Sequence, residues 1–321
     1  MSHAIVIDTP GDSSVLNYRE VPDPVAGPGE VLIRTSAIGI NYIDIYHREG
    51  KYPVDYPFIP GKEAVGSIVA LGEGVTGLNV GDRIATTEGV NAYAELVVVP
   101  AEGVLLVPEG LSDEVAVALP LQGMTAHYLV NSTFDLQSGQ TCIVHAAAGG
   151  VGLLVTQMAK AKGARVIATV STPEKEILAR AAGADEVLDY ADFAEKSREL
   201  TDGLGVHVVY DGVGATTFDQ SLAALRVRGV LVSFGSASGP VAPLDVSRLA
   251  QGGSLSVTRP TLWSYLQTPE ERDWRWGDVS RAAASGQLDV RVGAVFPLSD
   301  AAAAHDALTG RHTTGKVVLI P

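Results

Sequence analysis

The sequence predicts an α/β fold in which a doubly wound parallel sheet accompanies a second, mostly β domain. Three observations carry this expectation. From about residue 141 onward, β-rich runs alternate with helical periods; roughly the first 120 residues hold short β runs broken by Gly and Pro; and HAAAGGVG, at 145–152, sits where a strand turns into a helix. A chain of 321 residues also exceeds the usual single core, so two domains are expected.

The first part reads HAIVID, EVLIRTSAIG, GSIVALG, DRIATT and AELVVVP, each run bounded by turn residues, as in a compact β domain. TCIVHA then leads into a helix with Val151, Leu154, Val155 and Met158 on one face, and Gly163 is placed to end it. ARVIATV is the next strand. Thr172 as N-cap and Pro173 at the first helical position open the following helix, which stops near Gly183. EVLDY, VHVVYDGVG and VLVSFG supply further strands, separated by the helical stretches ADFAEKSREL and ATTFDQSLAALRV. Strands alternating with helices imply right-handed crossovers and a parallel sheet. Thr268-Pro269-Glu270-Glu271 reads as a capping box, and the helix DAAAAHDAL precedes a last β run, KVVLIP, which pattern alone does not place.

Composition excludes several classes. Apolar residues make up 46% and charged residues 19%, which marks a globular chain. With 37 acidic against 23 basic residues, the net charge of −14 opposes binding to phosphate backbones and anionic membranes. The single cysteine, Cys142, lies in an apolar run and reads as a core thiol. MSHAIVIDTPG has neither a basic segment nor an apolar core, and no apolar run reaches spanning length, so a cytoplasmic location is expected.

Within the glycine run, Ala146, Gly149 and Gly152 match the A-x-x-G-x-x-G form of the dinucleotide fingerprint in its strand–turn–helix setting. Backbone N–H groups approach a pyrophosphate there, and the helix N-terminus favours its charge. An NAD site would place Asp or Glu at the end of the second strand to bind the ribose 2′-hydroxyl. That strand ends in Val170, Ser171 and Thr172, and Lys175 follows one turn on. A 2′-phosphate is therefore admissible and NADP(H) is the expected cofactor, although Lys175 also reads as a solvated residue beside Glu174 and Glu176.

AIGINYIDIYHREGKYP (37–53), LQGMTAHYL (121–129), HAAAGGVG, GADEVLDY (183–190), VSFGSASG (232–239), GSLSVTRPTL (253–262) and the terminal GKVVLIP together carry a resemblance over essentially the whole chain. The chain resembles the zinc-independent quinone oxidoreductases of the medium-chain dehydrogenase/reductase superfamily, and within it the bacterial NADPH:quinone reductases. The resemblance implies a Rossmann domain, residues 125–261, inserted in a GroES-like catalytic domain, residues 1–124 plus 262–321, with the cofactor in the cleft between them. It also implies a homodimer joined near GSLSVTRP. Asn41 and Tyr46 are then expected to face nicotinamide and substrate, and Lys62, beside the lost metal site, reads either as an ion pair with a nearby acid or as a cation at the substrate mouth. The cofactor set it implies is Asn41, Gln122, Thr125, Gly149, Gly150, Val151, Gly152, Ser171, Lys175, Tyr190, Phe234, Gly235, Ser236 and Lys316. No metal is expected, because the metal-dependent cousins carry Gly-His-Glu where this chain has Gly61-Lys62-Glu63, and the ligand cysteine and structural-zinc lobe are missing.

Plainer readings stand beside these. Asn41 is also a natural N-cap for YIDIY, Tyr46 fits a core, and Gln122 and Thr125 fit a helix start. His127 and His145, in apolar segments, read as hydrogen-bonded structural histidines, and Trp263, Trp274 and Trp276 as packing, with lining a cleft for a flat ring as the alternative. The expected activity is NADPH-dependent, metal-independent reduction of a small-molecule quinone by hydride or electron transfer. The alternatives are an alkenal or enone reductase and a non-enzymatic, crystallin-like NADPH-binding or RNA-binding protein.

Overall fold

One long strand organises the β-rich part of the chain. The computed structural model describes residues 1–88 and 91–321. β1 (Ser2–Val6) and β2 (Asn17–Val21) form an antiparallel hairpin ahead of β3 (Glu30–Ile40), the eleven-residue spine. Buried Val31, Ile33, Ala37, Ile38 and Ile40 anchor it in the core. After α1 (Tyr42–Arg48) come β4 (Ala64–Leu71), β5 (Arg83–Thr86), β6 (Leu96–Pro100) and β7 (Leu105–Leu106), then α2 (Asp113–Ala116). β3 pairs antiparallel with both β4 and β6, so its hydrogen-bonding edges are shared along its length.

The second unit begins with α3 (Met124–Tyr128), flanked on both sides by wider π-type turns at Leu119–Gly123 and Leu129–Thr133. It then alternates strand and helix: β8 (Thr141–Val144), α4 (Gly150–Ala161), β9 (Arg165–Thr169), α5 (Pro173–Ala181), β10 (Glu186–Leu188), α6 (Phe193–Glu199), β11 (Val206–Asp211), α7 (Phe218–Ala224), β12 (Leu225–Ser233), α8 (Ser247–Gln251) and β13 (Ser256–Thr258). The strands form one parallel six-stranded sheet in the order β10-β9-β8-β11-β12-β13. This is the doubly wound nucleotide-binding order, with its reversal between β8 and β11. Thr172 caps α5 by accepting the Lys175 N–H, and Pro173 stands at its first position. The helix expected to run through Val227 stops at Ala224. Leu225, fully buried, is drawn instead into register with Val206 at the start of β12.

After α9 (Pro269–Ala284), β14 (Val292–Pro297), α10 (Ala301–Thr309) and β15 (Lys316–Ile320) return to the first sheet, whose order is β14-β15-β3-β4-β5-β7 with β6 also on β3. The terminal run KVVLIP is thereby placed: Val317–Leu319 pair antiparallel with Ile38–Ile40. The chain divides into two compact units, Met1–Leu121 with Ser280–Pro321, and Gln122–Val279. The second boundary lies inside α9 instead of at 261/262. Residues 262–279 pack on the unit that carries α3: Tyr265 stacks on Tyr128 at 4.5 Å, and Asp278 and Arg275 both reach His127. Among the described residues, no helix is long and apolar enough to cross a membrane.

Candidate active site

The glycine loop joins β8 to α4. Ala146 takes a left-handed φ of 49°, a conformation non-glycine residues rarely hold, and its N–H donates to the Tyr190 hydroxyl at 2.9 Å. Gly149 is the N-cap of α4. The N–H groups of Gly150, Val151 and Gly152 are in its first turn, where they have no partner within the helix. A Cβ on Gly152 would stand 2.3 Å from the Ala146 carbonyl, so only glycine lets α4 start this close to the loop. Gln122 lies against Gly150, and buried Thr125 sits on α3 beside Tyr128.

At the end of β9, Val170 is buried, Ser171 and Thr172 are exposed, and no carboxylate is present. Lys175, half-buried, reaches the Ser171 hydroxyl at 3.4 Å. Tyr190 follows β10 and ties the loop at Ala146 to the Thr169 carbonyl. At the end of β12, Gly235 approaches Gly212 so closely that a Cβ would meet the Gly212 carbonyl at 2.4 Å. Phe234 packs over Gly212, and Ser236 begins the loop beyond.

Under this surface runs a buried polar chain that sequence patterns do not reveal. His145 Nδ1 meets the Thr169 hydroxyl at 2.7 Å, and Nε2 meets the Ser221 hydroxyl at 2.9 Å. Asp211 then accepts from Ser221, Thr217 and the N–H groups of Val213 and Gly214. Because Ser221 gives its proton to Asp211, it accepts from His145 Nε2–H, leaving Nδ1 to accept from Thr169. His145 is thus the structural histidine expected. Burial pushes its pKa down to about 4. A folded value below the ordinary 6.5 contributes stability that is full above about pH 6.5 and is lost as pH falls through the folded value. The urea midpoint of the wild type should therefore drop between about pH 6.5 and 4.5, and His145→Gln should flatten that drop. An unchanged dependence in the variant would show that His145 does not carry it.

In the first unit, Asn41 is the N-cap of α1 and forms a capping box with Asp44, and its amide is also engaged outside the helix. Nδ2 donates to Glu63 at 2.9 Å and to the Gly39 carbonyl at 3.2 Å, while Oδ1 accepts from Lys316 at 3.0 Å. Lys316 and Glu63, both fully buried, form an ion pair, and Glu63 also accepts the Leu121 N–H at 2.6 Å. Lys316 thus presents its ammonium to Glu63 and Asn41. Tyr46 is half-buried, with its ring 6.2 Å from Tyr42 and 5.3 Å from Tyr52. Lys62, also half-buried, makes no ion pair or hydrogen bond among the described residues, and its charge, after burial, helps hold the His47 pKa down. Asp44, Tyr93, Arg48 and His305 form a second buried cluster beneath α1. Sequence reasoning missed this cluster and the part played by Glu63. The available signals were the acid three residues after Asn41 and the glutamate retained beside Lys62.

Residues 27–109 match the alcohol dehydrogenase GroES-like domain, and residues 150–275 match the zinc-binding dehydrogenase family. A quinone oxidoreductase of Pseudomonas aeruginosa is 45% identical over 317 residues, 97% of each chain. The chain belongs to the quinone oxidoreductase group of the medium-chain dehydrogenase/reductase superfamily. A 2-haloacrylate reductase of a Burkholderia species is 41% identical over 331 residues, covering 100% of this chain and 99% of the other. A mycobacterial protein solved in complex with NADPH superimposes with a TM-score of 0.97 at 48% identity, covering 100% of both chains. The zinc in one family description has no counterpart in a donor set here. Glu63 already faces a lysine ammonium, and among the described residues no three His, Cys, Asp or Glu side chains are grouped to hold a metal.

Proposed function

We propose that this oxidoreductase uses NADPH to reduce quinones without a metal. The observation that carries the cofactor choice is the end of β9: buried Val170 stands where an NAD site places its acid, and Lys175 and Ser171 lie just beyond. The loop fits a pyrophosphate on its own geometry, since the first-turn amides of α4 have no partner within the helix and Gly152 keeps the approach clear of a side chain. NADPH, when bound, supplies the hydride. The chain's own work is alignment and charge. The amides of Gly150, Val151 and Gly152 hold the pyrophosphate, Lys175, Ser171 and Tyr190 the 2′-phosphate end, and Gly235 and Ser236 the nicotinamide half. In this reading Phe234, Gln122 and Thr125 shape the surrounding wall, Lys316 fixes Asn41 beside the nicotinamide, and Lys62 adds a cation for the substrate. Tyr46 donates its O–H to the acceptor oxygen, where negative charge develops.

Tyr46→Phe keeps the ring and removes only that donor. Losing a buried oxyanion donor costs about 10²-fold or more in turnover, and since Tyr46 is half-buried we expect about ten-fold, with NADPH affinity unchanged. Wild-type turnover in the variant with several quinones would remove Tyr46 from the chemistry.

A second reading, reduction of a conjugated enone or acid, is favoured by the 41% identity with a 2-haloacrylate reductase. NADPH oxidation measured against a quinone panel and an enone panel separates the two. Turnover with neither panel, alongside tight NADPH binding, would favour a non-enzymatic role. We also infer a homodimer through the edge strand β13, whose free side is available for pairing in the six-stranded sheet.

A further inference from the structure

The cluster beneath α1 has a fixed hydrogen-bond direction. An arginine only donates, so the Arg48 Nη1, 3.2 Å away, makes His305 Nδ1 an acceptor. The proton of this imidazole, held neutral by burial, then sits on Nε2 and is donated to the Tyr93 hydroxyl at 2.9 Å. Tyr93 must in turn donate to Asp44 Oδ2 at 3.2 Å, the same oxygen that accepts the Asn41 N–H at 2.9 Å. The relay runs from α1 through α10 and the segment before β6 back to the N-cap of α1. Its last member, Asp44, is fully buried, and its other oxygen, Oδ1, meets no hydrogen-bond partner among the described residues.

We propose that Asp44 is a positioning residue, and that gaining or losing a proton at its unpartnered oxygen sets how firmly Asn41 and the first turn of α1 are held. This inference rests on the reading that Asn41 and Tyr46 face nicotinamide and substrate. As a carboxylate, Asp44 accepts two charge-assisted bonds, from Asn41 N–H and Tyr93 O–H, and clamps the entry to α1. As an acid it is a weaker acceptor, and its added proton at Oδ1 has no group to receive it. The charged and titratable groups facing it are Tyr93 from the segment before β6, Lys316 from β15 and Glu63 from the segment before β4, with Arg48 and His305 further along the relay. Burial pushes the Asp44 pKa up to about 7, opposed by Asn41 N–H, Lys316 and Tyr93 and reinforced by Glu63. The change of state therefore falls near neutral pH.

The test compares wild type, Asp44→Asn and Tyr93→Phe from about pH 6 to 8, in kcat/KM for quinone reduction by NADPH and in the backbone amide NMR signal of Asn41. In the wild type, kcat/KM should rise several-fold with a midpoint near 7, and the Asn41 amide should shift with the same midpoint. Asp44→Asn, an isostere that cannot ionise, should hold the low-pH rate throughout. Tyr93→Phe removes a bond that lowers the Asp44 pKa, so its midpoint should move up. NADPH dissociation constants should stay within about two-fold in all three. A chain that reduces no quinone yet shows the Asn41 amide titrating with Asp44 would defeat the functional reading and leave this inference standing. A wild-type Asn41 amide that does not move, or an Asp44→Asn profile like the wild type's, would overturn it.

Discussion

Lys316→Met is expected to destabilise the first unit by about 3–5 kcal/mol, because it leaves the Glu63 carboxylate buried without its cation. Both side chains are fully buried, so solvent does not screen the loss. The remaining partners, Asn41 Nδ2 and the Leu121 N–H, satisfy hydrogen bonds but not the charge. Glu63→Gln added to Lys316→Met removes the uncompensated charge and should restore part of the loss. Urea midpoints of wild type, the single variant and the double variant decide. A single variant as stable as wild type would show that the pair is not what holds β15 and the segment before β4 in register.

The same pair shows where sequence reading reached and where it stopped. The alternation after residue 141 made the parallel sheet legible, and HAAAGGVG made the loop legible, because both are short-range patterns with a period or a fixed spacing. Thr172-Pro173 and Thr268 were legible as caps for the same reason: each satisfies an N–H within three residues. Glu63 with Lys316 spans 253 residues, and Tyr93 with His305 spans 212. No local pattern announces such partners; only β15 pairing back onto β3 brings Lys316 beside the residues that follow β3. The end of α7 is not legible in the sequence for a related reason. Its apolar spacing continues helically through Leu225, and burial against Val206 overrides that spacing.

Replacing Lys175 by Ala should weaken NADPH binding by roughly ten- to a hundred-fold, since a hydrogen bond to a charged group contributes about 1.5–3 kcal/mol. The Lys175 ammonium already reaches back to Ser171 at 3.4 Å, which places it by the end of β9, and Thr172 holds the turn beneath it. NADH has no 2′-phosphate to lose, so its KM should stay within about three-fold, and that contrast separates a phosphate contact from general damage. Val170→Asp is the complementary change. It introduces a carboxylate where a dinucleotide site reads the 2′-hydroxyl, repels a phosphate there, and should move the preference toward NADH. Because Val170 is buried, that variant also loses stability, and binding must be compared at a temperature where the far-UV circular dichroism matches wild type. Equal losses for both cofactors in Lys175→Ala, or a wild type that already prefers NADH, would place the 2′-phosphate contact elsewhere in the chain. With both cofactors titrated against all three proteins, the end of β9 is tested from both signs of charge: one variant removes an attraction, the other adds a repulsion.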